Sequence, residues 1–276
     1  MKKMMMLVLV VLMTMGVFAG CATEKPVTEE PAAELTGYQA LVERGYVIVG
    51  LDDTFAPLGF RTTDGELIGF DVDLAKEVFA RLDLEVKFQP IDWSMKETEL
   101  NSGNIDMIWN GYTITPEREE KVAFSTPYLK NRQVIVVLPE SGIATKADLA
   151  GKNVACQSES SAYAAITADE AFTAALDGGA PIAFDTNNEA FMDLEAGRVD
   201  ALVADEIMAM YYIGEKGVEN YLVLDEDFGK EEYGVGFRKG DSELVQKVNE
   251  TLDAMKEDGA AAKVSTVYFG TDIVSK

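Results

Sequence analysis

Eight short β-rich runs, separated by stretches of helical periodicity, constrain the fold of this chain most. The runs are YVIVG 46–50, EVKFQPI 85–91, IDMIW 105–109, QVIVV 133–137, KNVAC 152–156, PIAF 181–184, DALVA 200–204 and YGVGF 233–237. Between them Leu74, Ala75, Val78, Phe79 and Leu82 recur at 3.6-residue spacing, and Leu244, Val245, Val248, Leu252 and Met255 do so near the end. Strand-like runs alternating with amphipathic helices predict an α/β architecture with mostly parallel sheets. In such sheets ligands bind at the carboxyl ends of strands, where loops turn into helices. Two segments have that form: IDMIW-NGYTI-TPEREE and NVACQ-SESS-AYAAI each read as strand, loop and helix start.

The chain opens MKKMMMLVLVVLMTMGVFAGC, with two lysines, an apolar run and small residues before a cysteine. This is the pattern of a secretory signal over residues 1–20, and the apolar run is too short for a comfortable membrane span. Phe18-Ala19-Gly20-Cys21 resembles a bacterial lipobox, which implies acylation at Cys21; an ordinary signal cut nearby is the alternative. Residues 22–35, ATEKPVTEEPAAEL, are polar, proline-bearing and without apolar period, so 21–35 reads as a lipidated, flexible tether. The roughly 240 residues that follow are enough for two cores.

Charge and composition exclude several functions. Removing residues 1–20 takes away Lys2 and Lys3 and no acid, so 24 basic residues become 22 against 48 acids, a net charge of −26. That argues against nucleic acid as a partner and against electrostatic docking on anionic lipid. The chain has no histidine, which rules out serine–histidine and cysteine–histidine catalysis and most zinc sites. No metal or cofactor is expected. If Cys21 carries lipid, Cys156 has no partner, and its strand-end context predicts a buried structural thiol.

Candidate binding residues cluster in the loops. Thr115-Pro116 reads as an N-cap followed by proline at the first helical position, which puts Arg118 in the first turn of a helix, where a cation is disfavoured. Two readings fit. In EREEK the neighbouring glutamates would pair with Arg118 on a solvated face; alternatively, a guanidinium at a helix N-terminus makes an anion pocket, with Asn110, Gly111 and Thr113 supplying an amide, a bare backbone and a hydroxyl. Ser160 and Ser161 open the next helix, either as ordinary caps or as further donors. Asp205, after the DALVA strand, is either an N-cap or a carboxylate aimed at an ammonium. Phe55 and Trp93 lie in loops after strands and are placed either to fill core or to stack on a ligand.

Residues 36–276 resemble a known family, the extracellular solute-binding proteins of polar amino acid ABC transporters, whose fold is shared with the ligand cores of ionotropic glutamate receptors. GFDVDLAKEVFARL 69–82 resembles the family signature, and NIDMIWNGYTITPEREEKVAFSTPY resembles its most diagnostic block. The resemblance implies a two-lobed periplasmic-binding-protein fold of type II, with crossings near residues 129–133 and 229–232. Lobe 1 is then 36–129 plus 231–276, and lobe 2 is 130–230. It further implies that Arg118, Thr113, Ser160 and Ser161 meet a ligand carboxylate, and that Asp205, Asn110 and Gly111 meet its ammonium. Phe55 and Trp93 would form the side-chain pocket, with Asp52 at the position where members for cationic amino acids carry an acid. Where this chain has Glu159 the family commonly has glycine.

The expected function is a lipid-anchored, monomeric extracytoplasmic receptor. It would bind a free polar amino acid, arginine before lysine, and deliver it to an ABC permease, with no nucleic-acid partner. Two alternatives remain: an uncharged ligand of the glutamine or cystine type, and a dehydratase on the same fold.

Overall fold

The computed structural model describes residues 37–276; the expected signal peptide, Cys21 and the tether lie outside them. The described chain forms two five-stranded sheets, each flanked by helices. In the first the strand order is Glu85–Pro90, Tyr46–Leu51, Met107–Ile108, Gly236–Phe237, Ala123–Phe124; in the second it is Ile182–Phe184, Val154–Gln157, Ala201–Asp205, Leu129–Val137, Leu222–Tyr233. The two sheets define two lobes.

The sheets are mixed, which corrects the expectation of mostly parallel pairing. Tyr46–Leu51 pairs parallel with both neighbours and Val154–Gln157 does the same in the second sheet, but Gly236–Phe237 and Leu129–Val137 run antiparallel to everything beside them. The physical reason is the passage between lobes. Leu129–Val137 enters the second sheet and Leu222–Tyr233 leaves it, and the two pair antiparallel, with Tyr233 opposite Leu129 and Glu231 opposite Asn131. An apolar strand such as QVIVV signals burial but not direction.

Helix Phe70–Arg81 is as its periodicity predicts, with Asp71 and Asp73 in its first turn and Phe70, Leu74, Val78 and Phe79 buried. These side chains join Val47 and Val49 in one core cluster, and Leu244, Val248, Leu252 and Met255 of helix Ser242–Glu257 extend it. A smaller cluster on the other side of the first sheet holds Trp93, Leu100, Ile105, Ile108 and Tyr112. The loops at the carboxyl ends of Met107–Ile108, Val154–Gln157 and Ala201–Asp205 converge between the lobes. Cys156 is buried, and burial pushes its thiol up to about 12, so it is an inert core residue as expected.

Candidate functional site

Between the lobes lies a cavity lined by Phe55, Trp93, Asn110, Gly111, Thr113, Arg118, Gln157, Ser160, Ser161 and Asp205. Nine of these ten residues are sequence-predicted; Gln157 is the addition, and Asp52 is the one predicted residue that does not line the wall. Wider hollows open on the surface, one of them lined by Asp253, Lys256 and Asp272. The interlobe cavity differs in that every polar residue lining it is buried. Buried polar groups need partners, so such a lining points to an occupant.

Thr115 caps helix Pro116–Lys121, its hydroxyl accepting from the Arg118 N–H at 3.2 Å, with Pro116 at the first helical position. The Arg118 side chain turns away from the neighbouring glutamates: Nη1 donates to the Thr113 carbonyl at 2.9 Å and Nη2 to the Glu159 carbonyl at 3.3 Å. The guanidinium also lies 4.7 Å from the centre of the Tyr112 ring. Glu117 pairs instead with Lys121 at 2.7 Å, so the solvated-face reading of EREEK does not describe Arg118. Among the described residues no carboxylate forms an ion pair with it.

Across the cavity, Ser160 is the N-cap of helix Ser161–Ala168, accepting from the Tyr163 N–H at 3.1 Å and donating to the Gln157 carbonyl at 2.7 Å. The Ser161 hydroxyl accepts from Thr113 Oγ1 and from Gln133 Nε2, each at 3.1 Å, and the first of these bonds ties the lobes together. Glu159 holds a left-handed backbone with φ of +53°, which explains why glycine suits this position. Its carbonyl also accepts from Lys96 Nζ at 3.0 Å. Burial, then the nearby Arg118 charge, brings the Lys96 pKa down to about 8.

Asp205 occupies the N-cap position of helix Glu206–Lys216, but its carboxyl makes no capping bond. It accepts instead from Asn131 Nδ2 at 2.8 Å and from the Tyr233 hydroxyl. Burial, reinforced by the Glu231 carboxyl, pushes its pKa well above the carboxylate range. Gly111 has φ of +57°, and a Cβ there would come within 2.6 Å of Leu58 Cδ1 and 2.9 Å of Phe55 Cε1, so only glycine lets this backbone reach the cavity wall. Its N–H donates to Asp71 Oδ2 at 2.7 Å. Trp93 packs edge-on against Tyr112, with centroids 5.8 Å apart.

Two predicted residues are placed differently from what their expected roles need. Asn110 spends its side-chain oxygen on the Asp52 N–H at 3.0 Å, which leaves a buried Nδ2 donor without a partner. A donor suits an acceptor, not an ammonium. Asp52 sits behind the wall: Oδ1 accepts from the Thr54 N–H and hydroxyl at 2.9 and 2.6 Å, and Oδ2 accepts from Gln157 Nε2 at 2.8 Å. Gln157 also donates to the Asp185 carbonyl and accepts from Asn187 Nδ2, each at 3.0 Å, so its side chain is fixed between Asp52 and the cavity.

Comparison with known proteins decides the family. The model of the bacterial extracellular solute-binding proteins, family 3, matches residues 47–271. The chain belongs to this family. An L-cystine-binding protein of Escherichia coli is 33% identical over 233 residues, covering 84% of this chain and 85% of that one. An L-arginine-binding protein of Pseudomonas aeruginosa is 30% identical over 236 residues, covering 82% and 89%. Among solved structures, an ABC uptake transporter substrate-binding protein from Streptococcus pneumoniae with bound histidine superposes with a TM-score of 0.84 at 41% identity, covering 86% of this chain and 97% of that one. The two sheets and two crossings described above are accordingly those of the type II periplasmic-binding-protein fold of family 3.

Proposed function

We propose that this family 3 protein closes its two lobes, 36–129 plus 231–276 and 130–230, around one free polar amino acid and presents it to an ABC permease. One observation carries the reading: an arginine with no carboxylate partner and an acid with no cationic partner among the described residues, both buried, line one cavity. A zwitterion complements both, and its paired charges gain strength as closure removes water. In this reading Arg118 and Thr113 take the carboxylate, with Ser160 and Ser161 facing it from the second lobe. Asp205, with the Gly111 backbone, takes the ammonium. Asn110 contributes its free Nδ2 as a donor.

The side chain then lies among Phe55, Trp93 and Gln157. Asp52, directly behind Gln157, gives that end of the pocket a negative polarity that favours a planar, donor-rich group. Arginine is the expected ligand, ahead of lysine. Relatives named for cystine, arginine and histidine frame the choice. The sequence of residues 1–35 supports export, acylation of Cys21 and tethering outside the cell membrane. A solved neighbour at 35% identity is an ancestral amino acid-binding protein described as a precursor of cyclohexadienyl dehydratase, which makes formation of product from prephenate or arogenate the assay for the enzymatic alternative.

Thermal shift and tracer displacement on refolded, ligand-stripped protein test the proposal. A ligand at a thousandfold its dissociation constant adds about 4 kcal/mol of apparent stability. Arginine is expected to displace a bound tracer more strongly than lysine, histidine, glutamine or cystine. Displacement by glutamine or cystine but not arginine overturns the side-chain assignment; no shift with any amino acid overturns the class.

A further inference from the structure

Behind Asp205, bonded to the same amide, lies a second acid that sequence reasoning did not assign. Glu231 lies on the strand that leaves the second lobe, directly opposite Asn131. A single nitrogen, Asn131 Nδ2, donates to both Asp205 Oδ1 at 2.8 Å and Glu231 Oε1 at 2.6 Å, which brings two carboxyl groups to one donor. Gln133 Nε2 also donates to Glu231 Oε1 at 2.8 Å, while the Gln133 Oε1 atom is buried without a partner.

The charges around this pair are otherwise spoken for. Strand alternation puts Lys130, Arg132, Lys230 and Glu232 on the opposite face of the paired strands from Asn131 and Glu231. Arg132 is held there by Glu206 at 2.6 Å and Asp227 at 3.2 Å. The groups that do face the pair are the Tyr233 hydroxyl, which bonds Asp205, and the amides of Asn131 and Gln133. Arg118 lines the same cavity but is bonded to carbonyls. Among the described residues, then, two neighbouring acids, one buried and one half-buried, have no cationic partner. A second carboxyl group this close, with no cation between, disfavours the charged form of the buried Asp205.

We propose that Glu231 is the second acid of the ammonium subsite, that its carboxyl group keeps a proton on Asp205 while the site is empty, and that a bound ammonium expels this proton to solvent. The inference rests on the amino-acid reading of the cavity. The exchange balances: the ammonium stays charged, the carboxyl O–H bond breaks, and the proton passes to buffer. Because ligand and proton compete for the pair, affinity rises with pH, by at most about tenfold per unit, until the empty pair is fully ionised. Glu231 also sits on a crossing strand, so the same pair that reads the ammonium borders the segment that must rotate on closure.

Calorimetric titration in buffers of different ionisation enthalpy counts the proton. With arginine, histidine, glutamine and cystine as probes, those that bind are expected to release about one proton each near pH 6, and a desamino analogue none. Glu231→Gln is expected to fold, bind and release measurably less than the wild type, because burial still raises Asp205 but the neighbouring carboxyl no longer adds to it. Binding by the wild type without proton release overturns the inference, as does an unchanged count in Glu231→Gln; the wild-type count and the desamino control decide it even if the variant misfolds. Failure of all four amino acids to bind overturns the functional reading itself, and this inference with it.

Discussion

Asp71 carries a role that its place in the helix signature conceals. It is buried at the start of helix Phe70–Arg81, where it accepts the Gly111 N–H and the Tyr128 hydroxyl, so it holds the backbone of the site from behind. Burial raises its pKa from 3.8 to about 7, against the pull of those two hydrogen bonds. A carboxyl whose folded pKa lies above its unfolded one stabilises fully below the unfolded value and loses that contribution as pH rises through the folded value. Three units correspond to about 4 kcal/mol as an upper bound. Asp71→Asn keeps an acceptor for Gly111 and abolishes the titration. Urea melts of both proteins at about pH 4 and about pH 7.5 should therefore show the wild type losing stability relative to the variant as pH rises; parallel profiles would remove Asp71 from the account.

At the scale of elements, the loop between strand Val154–Gln157 and helix Ser161–Ala168 is strained at Glu159. A non-glycine residue in the left-handed region costs about 1 kcal/mol, and the only groups of Glu159 that bind Lys96 and Arg118 are backbone. Glu159→Gly should raise stability by about 1 kcal/mol without loss of ligand affinity. A destabilised variant in thermal melts would show that the side chain itself holds the loop. Much of this architecture was legible beforehand. The apolar runs announced strands because buried strands must be apolar, and Thr115-Pro116 located Arg118 because caps are local chemistry. Sheet direction was not legible, since the antiparallel partners of Leu129–Val137 are set by the path between lobes. Gln157, Asn131 and Glu231 escaped because their partners lie far away in sequence; the polar alternation Asn131, Gln133 within the KNRQVIVV strand was the available signal. Asp52, which the resemblance puts in the side-chain pocket, sits behind the wall, because a matched position does not say which atoms its neighbours have already claimed.

For the whole molecule, the proposed function makes binding and closure one event. Arg118 belongs to the first lobe by its helix and bonds the second through the Glu159 carbonyl, Thr113 reaches Ser161, and Gln157 reaches back to Asp52, so the lobes meet through the same residues that line the cavity. In the proposed function the paired crossing strands supply the hinge. Arg118→Ala removes the only arginine of the cavity lining and one interlobe bond while leaving the sheets intact. Stranding a buried partner costs about 3 to 5 kcal/mol, or two to four decades of affinity at about 1.4 kcal/mol per decade. Calorimetric titration of the wild type and Arg118→Ala with the best-binding amino acid tests this directly: the account predicts a loss of at least about a hundredfold in a variant that still melts cooperatively, and a loss of less than about tenfold would contradict it.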